Sequence, residues 1–178
     1  CSLMQASPVD VTRHDDKTVT ISGIYGTYPV TDPLLCDIIQ SPEFMRLQDI
    51  HQYGPYDYVT GPAPYTRWEH SLGVFCLTVR YGGSYYEQIA ALLHDVSHTV
   101  FSHAGGWMYH SDYREADRHQ DDIHTWFLEH STIKPLLASY GITIDQVHHK
   151  NTAFTVLEQP LPDICADRLD YNLQGAYY

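Results

Sequence analysis

An apolar stretch, Ala90-Ala91-Leu92-Leu93, runs straight into the doublet His94-Asp95, and two further histidines follow at His98 and His103. Imidazole nitrogen beside carboxylate oxygen is a donor pair suited to a divalent transition metal. At the end of a buried helix both groups cost free energy unless something uses them. Three other segments offer the same chemistry: Arg67-Trp68-Glu69-His70, the lone His119, and Asp167-Arg168-Leu169-Asp170-Tyr171. Two imidazoles and two carboxylates around one ion suit an octahedral site with room left for water. Such an ion acidifies bound water and balances the charge of a phosphate. The segments lie far apart in sequence, so only a tertiary fold can bring them together.

The elements that would do so read as helices. One is expected from Trp68 to about Tyr81, ended by Gly82-Gly83, and a second from Ser84 to Leu93. If that second helix continued past the doublet, His98 would share a face with His94. Asp117 to His130 is amphipathic, with Ile123, Trp126, Phe127 and His130 at helical spacing. Shorter helices are expected over Lys134–Tyr140 and Ile144–His149, around Gly141, and Pro162-Asp163 opens a last helix through Ile164, Asp167, Leu169 and Tyr171. Ser41-Pro42-Glu43 is a helix start leading into Phe44–Ile50, with Ser as the cap and Pro in the first turn. Lys17–Val30, rich in β-branched and aromatic residues and broken by Gly23 and Gly26, reads as a β-hairpin and the only sheet. The expectation is one mainly α domain with a short N-terminal β-hairpin.

Composition narrows the partners. The 178 residues suit a single domain, and 22 acidic against 10 basic residues give a net charge of -12. That field repels duplex nucleic acid, whereas a small anionic substrate remains open where a metal and local arginines overcome it. Twelve histidines favour metal or acid–base chemistry. Cys1, Cys36, Cys76 and Cys165 form no CxxC pair, which points to a reducing compartment and a cytoplasmic protein. Cys1 at the first position leaves a processed lipoprotein open, and no run approaches the length of a membrane span. Among the other histidines, His124 has no motif support, and His148-His149 reads as a solvated helix end rather than a second metal site.

TRWEHSLGV, AALLHDVSHTVFSHA and ADRLDY, in that order, resemble the HD-domain metal-dependent phosphohydrolases, in particular the deoxynucleoside triphosphate triphosphohydrolase branch. RLQDIHQYG resembles the same branch. The likeness covers Lys17 to Tyr171, so residues 1–16 are expected as an N-terminal extension. Residues 17–178 are expected as the HD-domain helical bundle, without the family's C-terminal segments. The resemblance implies that His70, His94, Asp95 and Asp167 hold a divalent ion: iron, manganese, nickel, cobalt, zinc or magnesium. It implies that His98 and His119 approach the scissile phosphate, as general acid or as stabilisers of developing charge. Arg67 and His103 become further phosphate contacts, Gln52 falls where the family contacts the sugar, and Tyr171 matches a tyrosine packed on deoxyribose. Arg168 replaces a phosphate-binding lysine. A nucleotide or other phosphoester is the implied substrate, and a homo-oligomer the implied assembly.

Three positions depart from the family pattern. Gly106 stands where a carboxylate orients the histidine matching His119, Gln120 replaces a glutamate, and Leu173-Gln174-Gly175 replaces a segment with an Arg-Asp pair. The expected function is metal-dependent phosphate hydrolysis. The alternative is a metal-containing, nucleotide-sensing or partner-binding module with weak or no turnover.

Overall fold

A computed structural model describes residues 9–54, 65–101 and 123–177. The expected hairpin is present as β2 and β3 of a three-stranded antiparallel sheet: β1 (Asp10–Arg13), β2 (Val19–Gly23) and β3 (Gly26–Val30), in that order. Val19 faces Val30 across the β2–β3 pair, and Gly23 faces Gly26 at its turn. Gly26 takes φ +110°, a backbone state that L side chains rarely adopt. Alternation buries Val19, Ile21 and Val30 on the core side. The sheet reaches one strand further toward the N-terminus than the hairpin reading, because Asp10–Arg13 pairs with Val19–Ser22. DVTR is too short to show an alternating pattern of its own, and its pairing is set by the β2 edge.

Among the described residues the other regular elements are helices, apart from an isolated bridge between His51 and Thr66. Helix α1 (Pro33–Gln40) is capped by Asp32, whose side chain accepts from the Leu35 amide. No element is expected there from periodicity, although Asp32-Pro33 carries the same cap and first-turn proline as Ser41-Pro42. Helix α2 (Pro42–Met45) starts on its Ser41 cap as expected, but the chain tightens into a 3-10 turn over Arg46–Asp49. Helices α3 (Arg67–Arg80) and α4 (Tyr85–Leu93) begin on capping boxes, Thr66 with Glu69 and Ser84 with Glu87. Helix α5 covers residues 123–129. It is followed by α6 (Ile133–Ser139), a 3-10 turn (Ile144–Val147) and α7 (Ala166–Tyr177).

Helix α3 runs through the middle, buried from Arg67 to Thr78, with α4 and α7 packed against it. Leu72, Phe75, Leu92, Leu93, Ile38 and Phe44 belong to its core. Gly73 permits the close approach of α7: a Cβ there would lie 1.9 Å from Asp170 Oδ1 and 2.5 Å from Gln174 Nε2. No helix among the described residues is long and apolar enough to cross a membrane.

Helix α4 ends at Leu93 as expected, and His94–Ser97 form turns, so His98 reaches the site by a turn and not on a helical face. Two local expectations change. Helix α5 is rotated from the expected face. His124 and Leu128 point inward, whereas Trp126 is 60% exposed and stacks on His130. Helix α7 begins at Ala166 and not at Pro162, because its first turn is docked: the Ala166 amide donates to Val156 O and the Asp167 amide to Leu157 O. That docking segment is itself fastened by the buried carboxylate of Glu87. Glu87 Oε1 accepts from the amides of Thr155, Val156 and Leu157 at 2.9, 2.6 and 2.8 Å.

Candidate metal centre

Four side chains from three places converge. His70 lies in the first turn of α3, His94 and Asp95 just past α4, and Asp167 in the first turn of α7. His70 Nε2 is 2.9 Å from Asp167 Oδ1 and 3.2 Å from His94 Nε2. Asp95 Oδ2 is 3.7 Å from both imidazole nitrogens, and His94 Nε2 is 3.8 Å from Asp167 Oδ1. An ion with bonds of ~2.1 Å holds adjacent donors about 3.0 Å apart in octahedral and about 3.4 Å in tetrahedral arrangement. The observed separations bracket those values. His70, His94 and Asp167 form the tight group able to hold a metal ion, and Asp95 stands at its edge.

The ring tautomers fit the same role. His94 Nδ1 donates to Ala91 O at 2.8 Å, and His70 Nδ1 donates to Asp170 Oδ2 at 2.7 Å. With Nδ1 committed to an acceptor, each ring turns its Nε2 inward, the arrangement that metal-bound histidines use. Asp170, fully buried, is fixed in turn by the Tyr65 hydroxyl at 2.8 Å and by Gln174 Nε2 at 2.9 Å. Charge points the same way. Asp95, Asp167 and Asp170 gather around His70, and Arg67 is the guanidinium beside them, 2.5 Å from Asp95 Oδ2. Burial alone would lower the His70 pKa, but hydrogen bonds and charge from Asp167 and Asp170 outweigh it and raise it to about 10. Burial likewise opposes the charge on Asp95, yet Arg67 and the neighbouring histidines hold its carboxyl well below the usual range. The centre thus calls for positive charge between its donors, which a divalent cation supplies.

The donors open onto a cavity of about 210 Å³ that is also lined by Gln52, Arg67, His98 and Tyr171. Gln52 and Arg67 are brought together by the pairing of residues 50–52 with 65–67, where the Gln52 amide donates to Tyr65 O and the Arg67 amide to Ile50 O. Gln52 Oε1 is buried with no hydrogen-bond partner among the described residues. His98 Nε2 lies 3.1 Å from Asp95 Oδ1, and Arg46 clamps its turn by donating to Val96 O and His98 O. Arg168 is not brought into the cavity: its guanidinium donates to Gln159 O and Asp163 O. His103 and His119 lie outside the described residues, as do Gly106 and Gln120. Gly175 has a local explanation, since a Cβ there would lie 2.1 Å from the Tyr53 hydroxyl.

Sequence reasoning missed several contributors. Tyr65, Arg46 and Glu87 act on the backbone or on a ligand's far side, roles that their residue types do not announce. His124 and His149 line the cavity, and His148 is half-buried, its ring stacked on His149 at 4.6 Å. The pair is therefore not a solvated helix end, because the turn after Val147 folds it onto His124. Only the 3-10 turn and the inward register of α5 would have shown it.

The HD domain family matches residues 67–171, the span that holds all four donors. The chain belongs to the HD domain family. An uncharacterized protein of Bacillus subtilis, YdhJ, is 38% identical over 154 residues, covering 86% of this chain and 46% of that protein. Metal-dependent phosphohydrolase cns2 of Cordyceps militaris is 36% identical over 164 residues, covering 92% of this chain and 46% of that protein. The human deoxynucleoside triphosphate triphosphohydrolase SAMHD1 is 33% identical over 153 residues, covering 74% of this chain and 24% of that protein. This HD domain chain thus spans about half the length, or less, of these curated relatives.

Proposed function

We propose that this HD domain chain holds a divalent metal and hydrolyses a phosphoester or phosphoanhydride, with a nucleotide as substrate. The observation that carries the reading is the convergence of the His70, His94, Asp95 and Asp167 donors on a cavity also lined by Arg67 and His98. When bound, the ion would polarise a phosphate oxygen and acidify water. The chain's own residues do the rest. Arg67, held on Asp95, presents a fixed guanidinium to the phosphates. His98, tied through Nε2 to Asp95, can share a proton with the leaving oxygen or stabilise charge developing there. His119 takes the partner role on the strength of the family resemblance, with His103 as a further phosphate contact. The unpartnered acceptor of Gln52 and the ring of Tyr171 suit a sugar with its hydroxyl. The name of the SAMHD1 relative and the motif order both favour deoxynucleoside triphosphates within that class.

Phosphate release measured across nucleoside mono-, di- and triphosphates with each candidate metal tests the reading. Turnover restored by a divalent ion and abolished by chelation supports it. One pair of observations favours the alternative of a sensing or partner-binding module: Arg168 is turned onto backbone carbonyls, and Tyr53 fills the place beside Gly175. Bound metal with no turnover on any nucleotide would select that alternative.

A further inference from the structure

One side of the cavity is built from residues that the metal donors do not need. His124 is 2% exposed, its Nδ1 lies 3.2 Å from Ser97 Oγ, and its Nε2 has no hydrogen-bond partner among the described residues. In the tautomer where Ser97 donates to Nδ1, the ring proton sits on Nε2, a buried donor that lacks an acceptor among the described residues, and an acceptor atom entering the cavity satisfies it. The His149 ring packs edge-on against His124 at 4.7 Å, and the next residue, Lys150, also lines the cavity. The cationic side chain expected to hold phosphate, Arg168, is committed to two backbone carbonyls instead. Among the described lining residues, Lys150 is the cation besides Arg67. A second hollow of about 460 Å³ shares His149, Lys150 and Glu158 with the first, so this wall stands where the two meet.

We propose that His124 and Lys150, with His149 between them, form a phosphate subsite for the part of a polyphosphate chain that the metal donors do not reach. Lys150 thereby takes the place that Arg168 leaves. A neutral imidazole N–H and an ammonium together suit a phosphate oxygen, and Glu158, exposed at the rim, bounds the subsite toward solvent. This rests on the phosphohydrolase reading for its substrate class, but not for its test.

Calorimetric titration of the metal-loaded protein with inorganic triphosphate and, separately, orthophosphate examines the wall directly. Lys150→Met and His124→Phe are each expected to weaken triphosphate binding about tenfold or more, with orthophosphate binding changed less than about twofold. Lys150→Arg restores triphosphate binding. Lys150 is exposed, so its variants keep the test sound even if His124→Phe fails to fold. Triphosphate binding through Lys150 in a protein that hydrolyses no nucleotide upholds the subsite while the hydrolase reading falls. Wild-type protein that does not bind triphosphate, or a Lys150→Met variant that binds it like wild type, overturns the subsite whatever the hydrolysis assay shows.

Discussion

At the scale of residues, the orientation of His70 decides whether the donors meet. Its ring is held from behind by Asp170, and Asp170 by Tyr65 and Gln174. Tyr65→Phe keeps the packing and removes one hydrogen bond. It is expected to lower metal affinity by about tenfold without unfolding the protein, as measured by competition with a metal chelator. Unchanged affinity would show that the hydroxyl contributes nothing to the ligand's orientation. His124 gives a second prediction. Burial, reinforced by the neighbouring His149, His148 and His94 and opposed by Asp95, pushes its pKa down to about 2. Between that value and the ordinary 6.5 the unfolded chain binds a proton that the folded chain refuses, so this contribution is intact above pH 6.5 and fades as pH falls. From pH 7 to pH 5 it amounts to about 2 kcal/mol, and denaturant melts of His124→Phe should show a correspondingly shallower loss on acidification. His70, His94, Asp95 and Asp167 were marked out by the motifs that carry the family resemblance, since residue types alone do not join segments so far apart in sequence. The diversion of Arg168 was not, because it depends on where the carbonyls of Gln159 and Asp163 fall.

At the scale of elements, two close contacts hold the donor-bearing helices in register. Gly73 in α3 leaves room for Asp170 of α7, and a Cβ would meet Asp170 Oδ1 at 1.9 Å. Gly73→Ala should therefore cost about 1–3 kcal/mol by overpacking and displace Asp170, lowering both thermal midpoint and metal affinity. A loss of stability with full metal affinity would show that α7 shifts without moving the centre. Glu87 fastens the segment on which α7 begins by taking three backbone amides on one oxygen. Glu87→Ala is expected to cost on the order of 3 kcal/mol in urea denaturation, and Glu87→Gln less because one acceptor oxygen remains. Helix starts with a cap residue, as at Ser41 and Ser84, were legible because the signal is local. The late start of α7 was not, since Pro162-Asp163 offers a local signal that the docking on Val156 and Leu157 overrides. The face of α5 misled for a related reason: Trp126 is apolar but exposed, and the inward residue is a histidine.

At the scale of the whole molecule, the small sheet and the helices around α3 gather polar groups from residues 52 to 171 onto one cavity in a chain with net charge -12. The helical class, the hairpin within the sheet and the metal chemistry follow from patterns short enough to read along the chain. The placement of Tyr65, Glu87, His124 and Lys150 follows from contacts between segments distant in sequence, and no pattern announces it. The proposed chemistry requires that these donors bind a divalent ion. Elemental analysis of the purified protein beside His94→Ala and Asp167→Ala, with phosphate release measured on the same samples, tests it most directly. The predicted result is about one divalent ion per chain in the wild type, with metal and phosphate release lost together in both variants. Phosphate release that persists in a variant free of metal would contradict it.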